Sequence, residues 1–195
     1  MKIVKILFIL IAGILIIGGC SAPSSTVCPD MGTITTIDSP ESPLNTSTLI
    51  GSSAPDFSWD IVDFDSLQTK SGNVSLSQYQ GKPVMIVFHK SMNCPGCKQQ
   101  MPFIKSCSET WKDKGLVILT IYRGDEPKDV KGYVQNNELE FCALADPNDI
   151  VASKLGFAIG APMSVFIDKS GIIQKYQIGA FSSQADIENI LATLE

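Results

Sequence analysis

Two cysteines, Cys94 and Cys97, stand where the chain passes from a buried strand into a helix, and that junction constrains the fold more than any other feature. Before it runs Val84-Met85-Ile86-Val87-Phe88, apolar and rich in β-branched residues, which reads as a buried strand. After it comes Lys98-Gln99-Gln100-Met101-Pro102-Phe103-Ile104, with apolar residues at roughly helical spacing. The C-x-x-C pair therefore puts the sulfur of Cys94 at a helix N-terminus, where unpaired N–H groups and the positive end of the dipole favour a thiolate. Only the thiolate attacks a disulfide. The pattern is that of a redox site. A structural zinc site would need a second ligand pair at similar spacing, but Cys107 and Cys142 stand singly and without a nearby His. Covalent haem attachment would need His directly after the second Cys, where this chain has Lys98. Neither a metal nor a diffusible cofactor is expected.

The 195 residues suit one domain of ordinary size, and a 44% hydrophobic content with nine Phe is enough for a packed core. The formal charge is −5, reaching −7 if Lys2 and Lys5 leave with a leader, and no basic cluster occurs, which argues against a nucleic-acid partner. Around the junction the sequence predicts a strand at Phe57–Val62, a turn-rich insert at Asp63–Asn73 and a helical turn at Leu76–Gln80. The C-x-x-C helix should run to about Lys114 and stop at Gly115. A second buried strand follows at Leu116–Tyr122, then a helix at Pro127–Asn137, with Pro127 suited to its first turn. Phe141–Leu144 reads as a short extended piece and Asp149–Leu155 as a short helix. Met163–Asp168 and Ile172–Ile178 form a hairpin across Lys169-Ser170-Gly171, and Gln184–Leu194 is a terminal amphipathic helix. Strands alternating with helices, then a hairpin, predict an α/β fold with a central mixed sheet.

The N-terminus reads as a targeting element: Lys2 and Lys5 precede the apolar run Ile6–Ile17, which is shorter than the roughly 20 residues a bilayer span needs. Its ending, Ile17-Gly18-Gly19-Cys20, resembles the bacterial lipobox, which implies cleavage before Cys20 and diacylation of that residue. An uncleaved anchor or an ordinary signal peptide ending in Cys are the other readings. All three place the folded part outside the cytoplasm, where disulfides persist. The expected organisation is a leader at 1–19, a flexible Ser/Thr/Pro-rich tether at 20–53 without Lys or Arg, and a domain at 54–195. Whether Thr33–Ile37 forms a strand is left open by the sequence.

From Ala54 onward the chain resembles the membrane-tethered thiol–disulfide oxidoreductases of the thioredoxin superfamily, the TlpA/ResA type within the AhpC/TSA–redoxin group. The residues that carry the resemblance are Ala54-Pro55-Asp56-Phe57, the CPGC motif with Pro102 five residues after Cys97, and Gly160-Ala161-Pro162 ahead of the strand Met163–Asp168 and Lys169-Ser170-Gly171. The resemblance implies a thioredoxin-like fold, a redox-active Cys94–Cys97 disulfide, and a cis-proline at Pro162 that with Ala161 binds the substrate backbone. It further implies exported cysteine proteins as substrates, apocytochromes c among them in cytochrome c maturation. A membrane electron donor of the CcdA or DsbD kind is the implied partner, with the domain held by its lipid on the outer face of the cytoplasmic membrane. Several positions depart from the family. Asn93 stands where Trp usually precedes the first Cys, the loop from Phe88 to Cys94 is one residue longer, and Gln100 stands where many members have Glu. The usual carboxylate proton acceptors are thereby lost.

Other chemistry-bearing residues carry weaker signals. His89, the single histidine, lies five residues before Cys94, where it either titrates beside the thiolate or is a solvated loop group. Arg123 is expected as a surface charge at the end of the sheet, and Cys107 and Cys142 as small buried core residues. Two rival functions follow from the residues. A peroxiredoxin-like thiol peroxidase would use Ser91, three residues before Cys94, but Val87 occupies the place of its usual proline and its arginine falls at Ser153 or Lys154. A Sco-type copper-binding assembly factor would need C-x-x-x-C and a downstream His, neither of which is present.

Overall fold

The computed structural model describes residues 31–38, 49–62, 69–155 and 162–194. Eight strands form one mixed sheet in the order β3-β2-β1-β6-β5-β4-β7-β8. They are β1 (Met31–Asp38), β2 (Asp56–Val62), β3 (Thr69–Ser75), β4 (Val84–His89), β5 (Val117–Arg123), β6 (Cys142–Asp146), β7 (Met163–Ile167) and β8 (Ile173–Ile178). Strands β4, β5, β6 and β1 run parallel, whereas β2, β7 and β8 pair antiparallel to their inner neighbours. The helices are α1 (Pro95–Thr110), α2 (Pro127–Asn136), α3 (Ile150–Lys154) and α4 (Gln184–Leu191).

The period-two geometry of a strand sends alternate residues of β4 to opposite faces, and both faces are covered. Met85 and Val87 pack on Met101, Ile104 and Cys107 of α1 and on Ile187 and Leu191 of α4. Val84, Ile86 and Phe88 join Phe57, Trp59, Leu119 and Leu144 on the other face, closed by Val151, Ala152 and Leu155 at α3. All six residues of β4 are buried, which is why the stretch reads as a continuous apolar run rather than an alternating one. Helix α1 ends at Thr110 and a 3-10 turn carries the chain to Gly115, whose φ of 76° provides the left-handed stop the sequence predicts. Ser183 and Asp186 form a reciprocal capping box that starts α4. The tight turn between β7 and β8 is held by Asp168, whose Oδ1 accepts from the backbone N–H groups of Ser170 (2.8 Å) and Ile172 (3.1 Å).

Two expectations are corrected. Residues 31–38, placed by sequence in the tether, form β1, inserted between β2 and β6, with Met31 fully buried and Ile34 nearly so. The Thr-Ile-Thr-Thr-Ile stretch has the β-branched composition of a strand, but its partners, β2 and the edge of β6, come only with the tertiary fold. The insert at Asp63–Asn73 likewise contains the start of β3, a polar strand with Trp59 opposite Val74 in its register. As an edge strand it needs no apolar face, so hydrophobic patterning does not reveal it. The leader, the lipobox and Cys20 lie outside the described residues.

Candidate active site

The candidate redox site sits at the C-terminal end of β4, the last of the four parallel strands, with antiparallel β7 on its other side. Beyond His89 a turn closes with the Cys94 N–H bonded to the Ser91 carbonyl (3.1 Å), and Cys94 is then the N-cap of α1. The Cys94 sulfur accepts from the Cys97 backbone N–H at 3.3 Å. Pro95 fills the first helical position, where its missing N–H costs nothing. A disulfide joins Cys94 to Cys97, with Cα atoms 5.3 Å apart. The two sulfurs differ in access: Cys94 is half-buried, whereas Cys97 is 1% exposed. The arrangement presents one sulfur to a partner and keeps the other beneath it. A thiolate at Cys94 would keep the Cys97 N–H as a donor and the helix dipole as a source of positive potential.

Pro162 faces this motif. A Cβ built on Gly96, between the two cysteines, would lie 3.3 Å from Pro162 Cδ and 4.0 Å from Ala180 Cβ. The Pro162 carbonyl accepts from Gly179 N–H at 2.9 Å, tying the proline to the exit of β8. Glycine at 96 thus leaves room for a proline close against the redox motif. Ala161 lies outside the described residues. Beneath the site Gln100 is fully buried, and its Oε1 accepts from the Phe181 N–H at 3.4 Å while its Nε2 has no hydrogen-bond partner. A neutral amide at this depth avoids the cost of burying the carboxylate that many resembling proteins carry there.

Of the other candidates, Cys107 and Cys142 are buried in the core as expected, whereas His89 is corrected. His89 is not solvated: it is 1% exposed and stacks on Tyr122, with ring centroids 4.6 Å apart. Burial lowers its pKa to about 4, so it is neutral at physiological pH. Arg123 is a partly exposed charge at the end of β5, as expected, and its Nε and Nη2 both donate to the Asp149 carboxylate. Cys107 is a buried free thiol that donates to the Gln184 carbonyl, and burial, with Glu188 adding to it, pushes its pKa up to about 12. Cys142 is buried as expected but is also disulfide-bonded, with a partner outside the described residues. No group of three or more His, Cys, Asp or Glu side chains among the described residues has a metal-binding arrangement.

Asp125 is a residue the sequence did not single out. It follows β5 after Gly124, and its Oδ2 accepts from the Met92 N–H at 3.1 Å, inside the turn that leads to Cys94. Desolvation raises its pKa, opposed by that hydrogen bond and assisted by Asp129. In the sequence it is one acid among many, since nothing local reveals that β4 and β5 end side by side.

Residues 50–176 match the AhpC/TSA family model. The chain belongs to the AhpC/TSA family. Among curated relatives, the chloroplastic peroxiredoxin Q of Sedum lineare is 27% identical over 173 residues, covering 80% of this chain and 86% of that protein. The chloroplastic peroxiredoxin Q of Populus jackii is 26% identical over 128 residues, and the match spans 60% of its length and 63% of this chain. Solved structures similar to this fold include a Chlorobium tepidum chain described as a candidate thiol:disulfide interchange protein DsbE, with a TM-score of 0.62 and 26% identity over 75% of this chain and 98% of that one. StoA from Bacillus subtilis superposes with a TM-score of 0.52 at 20% identity, covering 60% of this chain and 87% of its own, a likeness of fold alone. The fold is thioredoxin-like.

Proposed function

We propose that this AhpC/TSA-family chain exchanges disulfides with exported cysteine proteins through its CPGC motif, from a lipid anchor on the outer face of the cytoplasmic membrane. The observation that carries the reading is the paired cysteines at the start of α1, one sulfur accessible and accepting from a helical N–H, the other buried beneath it. In the reducing direction the Cys94 thiolate attacks one sulfur of a substrate disulfide. The substrate S–S bond breaks, a mixed disulfide forms, and one substrate thiolate leaves. Cys97 then loses its proton and attacks the Cys94 sulfur, forming the Cys94–Cys97 disulfide and releasing the second substrate thiolate. Two electrons have moved to the substrate, and a dithiol donor, a membrane protein of the CcdA or DsbD kind, must restore the pair. In this reading Pro162 meets the substrate backbone beside the accessible sulfur, which its closeness to the Gly96 position supports. The short apolar run ending in Gly18-Gly19-Cys20 supports the anchor, and no helix among the described residues is long and apolar enough to cross a membrane.

Peroxide reduction is the second reading, favoured by the peroxiredoxin Q relatives. Peroxidase chemistry on a thiolate uses a Thr or Ser hydroxyl and an Arg to position the peroxide. The chain's single arginine, Arg123, is instead engaged by Asp149. The test follows from the two mechanisms. Cys97→Ser should leave Cys94 trapped in mixed disulfides with exported proteins, and Cys94→Ser should trap far fewer. Insulin disulfides should be reduced in the presence of dithiothreitol, with peroxide consumed no faster than by a free thiol. Rapid Cys94-dependent peroxide turnover with no trapped partner would select the peroxidase reading. Metabolic labelling with a palmitate analogue should tag the wild type and not Cys20→Ala, and a label that survives the substitution would remove the anchor.

A further inference from the structure

The turn that delivers Cys94 to α1 is held from below by one side chain of another strand. Residues 91–94 close on a hydrogen bond from the Cys94 N–H to the Ser91 carbonyl, so the position of the nucleophilic sulfur follows the position of this turn. Among the described residues, no hydrogen bond joins α1 to the turn's middle. The Met92 N–H instead donates to Asp125 Oδ2 at 3.1 Å, across 33 residues of sequence. The Asp125 end is itself anchored, since the Gly124 N–H donates to the Asp146 carbonyl at 2.8 Å and Gly124 has a φ of 70°. On the loop side, Met92 packs against the cluster of Tyr122, Val130 and Val134, and the Tyr122 ring stacks on His89 at the end of β4. A charged acceptor on a half-buried N–H makes a stronger bond than a neutral pair does.

We propose that Asp125 is a positioning residue of the redox site, clamping the 91–94 turn so that the Cys94 sulfur stays over the N-terminus of α1. The proposal rests on Cys94 being the attacking thiol of the disulfide-exchange reading. Releasing the clamp would let the sulfur drift from the Cys97 N–H, and misplacing a reacting atom by about 1 Å can cost on the order of a hundredfold in rate. The acid also acts through its charge, in the opposite sense: a carboxylate near a thiol disfavours the thiolate. The charged and titratable groups around the clamp include Tyr122 on β5, Asp129 and Tyr133 on α2 and the neutral His89 on β4.

The experiment compares full-length wild type, Asp125→Ala and Asp125→Asn, reduced, with iodoacetamide alkylation followed at the Cys94 peptide by mass spectrometry as a function of pH. Asparagine keeps an acceptor oxygen without the charge. Positioning predicts that the Cys94 midpoint rises toward the ordinary thiol value in Asp125→Ala, while Asp125→Asn stays at or slightly below wild type. Insulin reduction should fall roughly tenfold or more in the alanine variant and stay within about twofold in the asparagine variant. A midpoint lowered equally in both variants would show that only the charge matters and would overturn the clamp. Loss of thermal stability with an unchanged Cys94 profile would overturn it too, leaving a structural bond. If the wild type reduces no disulfide, the exchange reading fails, while the alkylation profiles still decide whether Asp125 positions Cys94.

Discussion

At the scale of single residues, chemistry is set by how far each polar group is removed from water. Cys94 and Cys97 are separated by only two residues, yet one sulfur can be reached and the other is 1% exposed. We expect Cys94 to alkylate with the lower midpoint and Cys97 with the higher, read on single-cysteine variants. A Cys94 midpoint at or above the ordinary value of about 8.5 would show that the helix terminus does not activate it. His89 is the second case. Its pKa in the folded protein, about 4, lies below that of the unfolded chain, about 6.5, so between these values the unfolded state binds more protons. The stabilisation is complete above about pH 6.5 and is lost as pH falls toward 4, a change on the order of 3 kcal/mol. The half-buried Asp125 and the buried Asp146, with raised pKa values, act in the opposite direction as they protonate. His89→Phe keeps an aromatic ring against Tyr122 without a titrating nitrogen. Urea denaturation of this variant across that pH range should show a flatter stability profile than wild type.

At the scale of elements, most boundaries were legible because their signals are local. The apolar run of β4, the glycine stop at Gly115, Pro127 opening α2 and the hairpin at Lys169-Ser170-Gly171 all carry their cause within a few residues. Strand β1 does not. Its central place depends on Gly32, where a Cβ would collide with the Trp59 ring and lie 2.7 Å from Leu144 Cδ2. The close approach of β2 and β6 side chains across β1 leaves no room for even a methyl group. Gly32→Ala should therefore cost about 1–3 kcal/mol through overpacking, measured as a lower urea midpoint with little change in slope. A neutral substitution would mean that Trp59 can move aside.

At the scale of the whole molecule, the fold places the cysteine pair at the end of an interior strand, paired on both sides. Strand β4 lies between β5 and β7, and the sheet continues through β6 to β1. The folded unit includes 31–38, so a chain beginning at Ala54 would expose the side of β6 that pairs with Gly32 and Thr33, and the side of β2 that pairs with β1. We expect such a truncated chain to aggregate or to lose cooperative unfolding, whereas one beginning at Met31 should retain more of its structure. Circular dichroism during urea titration compares the two, and equal cooperativity would show that β1 is dispensable.

The α/β class and the reading of a redox site were legible in the sequence, because a C-x-x-C between a buried strand and a helix is a local pattern with a local cause. Pro162 was reached through resemblance, and the structure supplies its contact with the Gly96 position. The tertiary structure alone decided that β1 completes the sheet, that His89 is neutral and buried, that Arg123 is held by Asp149, and that Asp125 grips the turn before Cys94. Each of these depends on strands distant in sequence ending side by side, and a charge or a histidine carries no local mark of the neighbour it will meet.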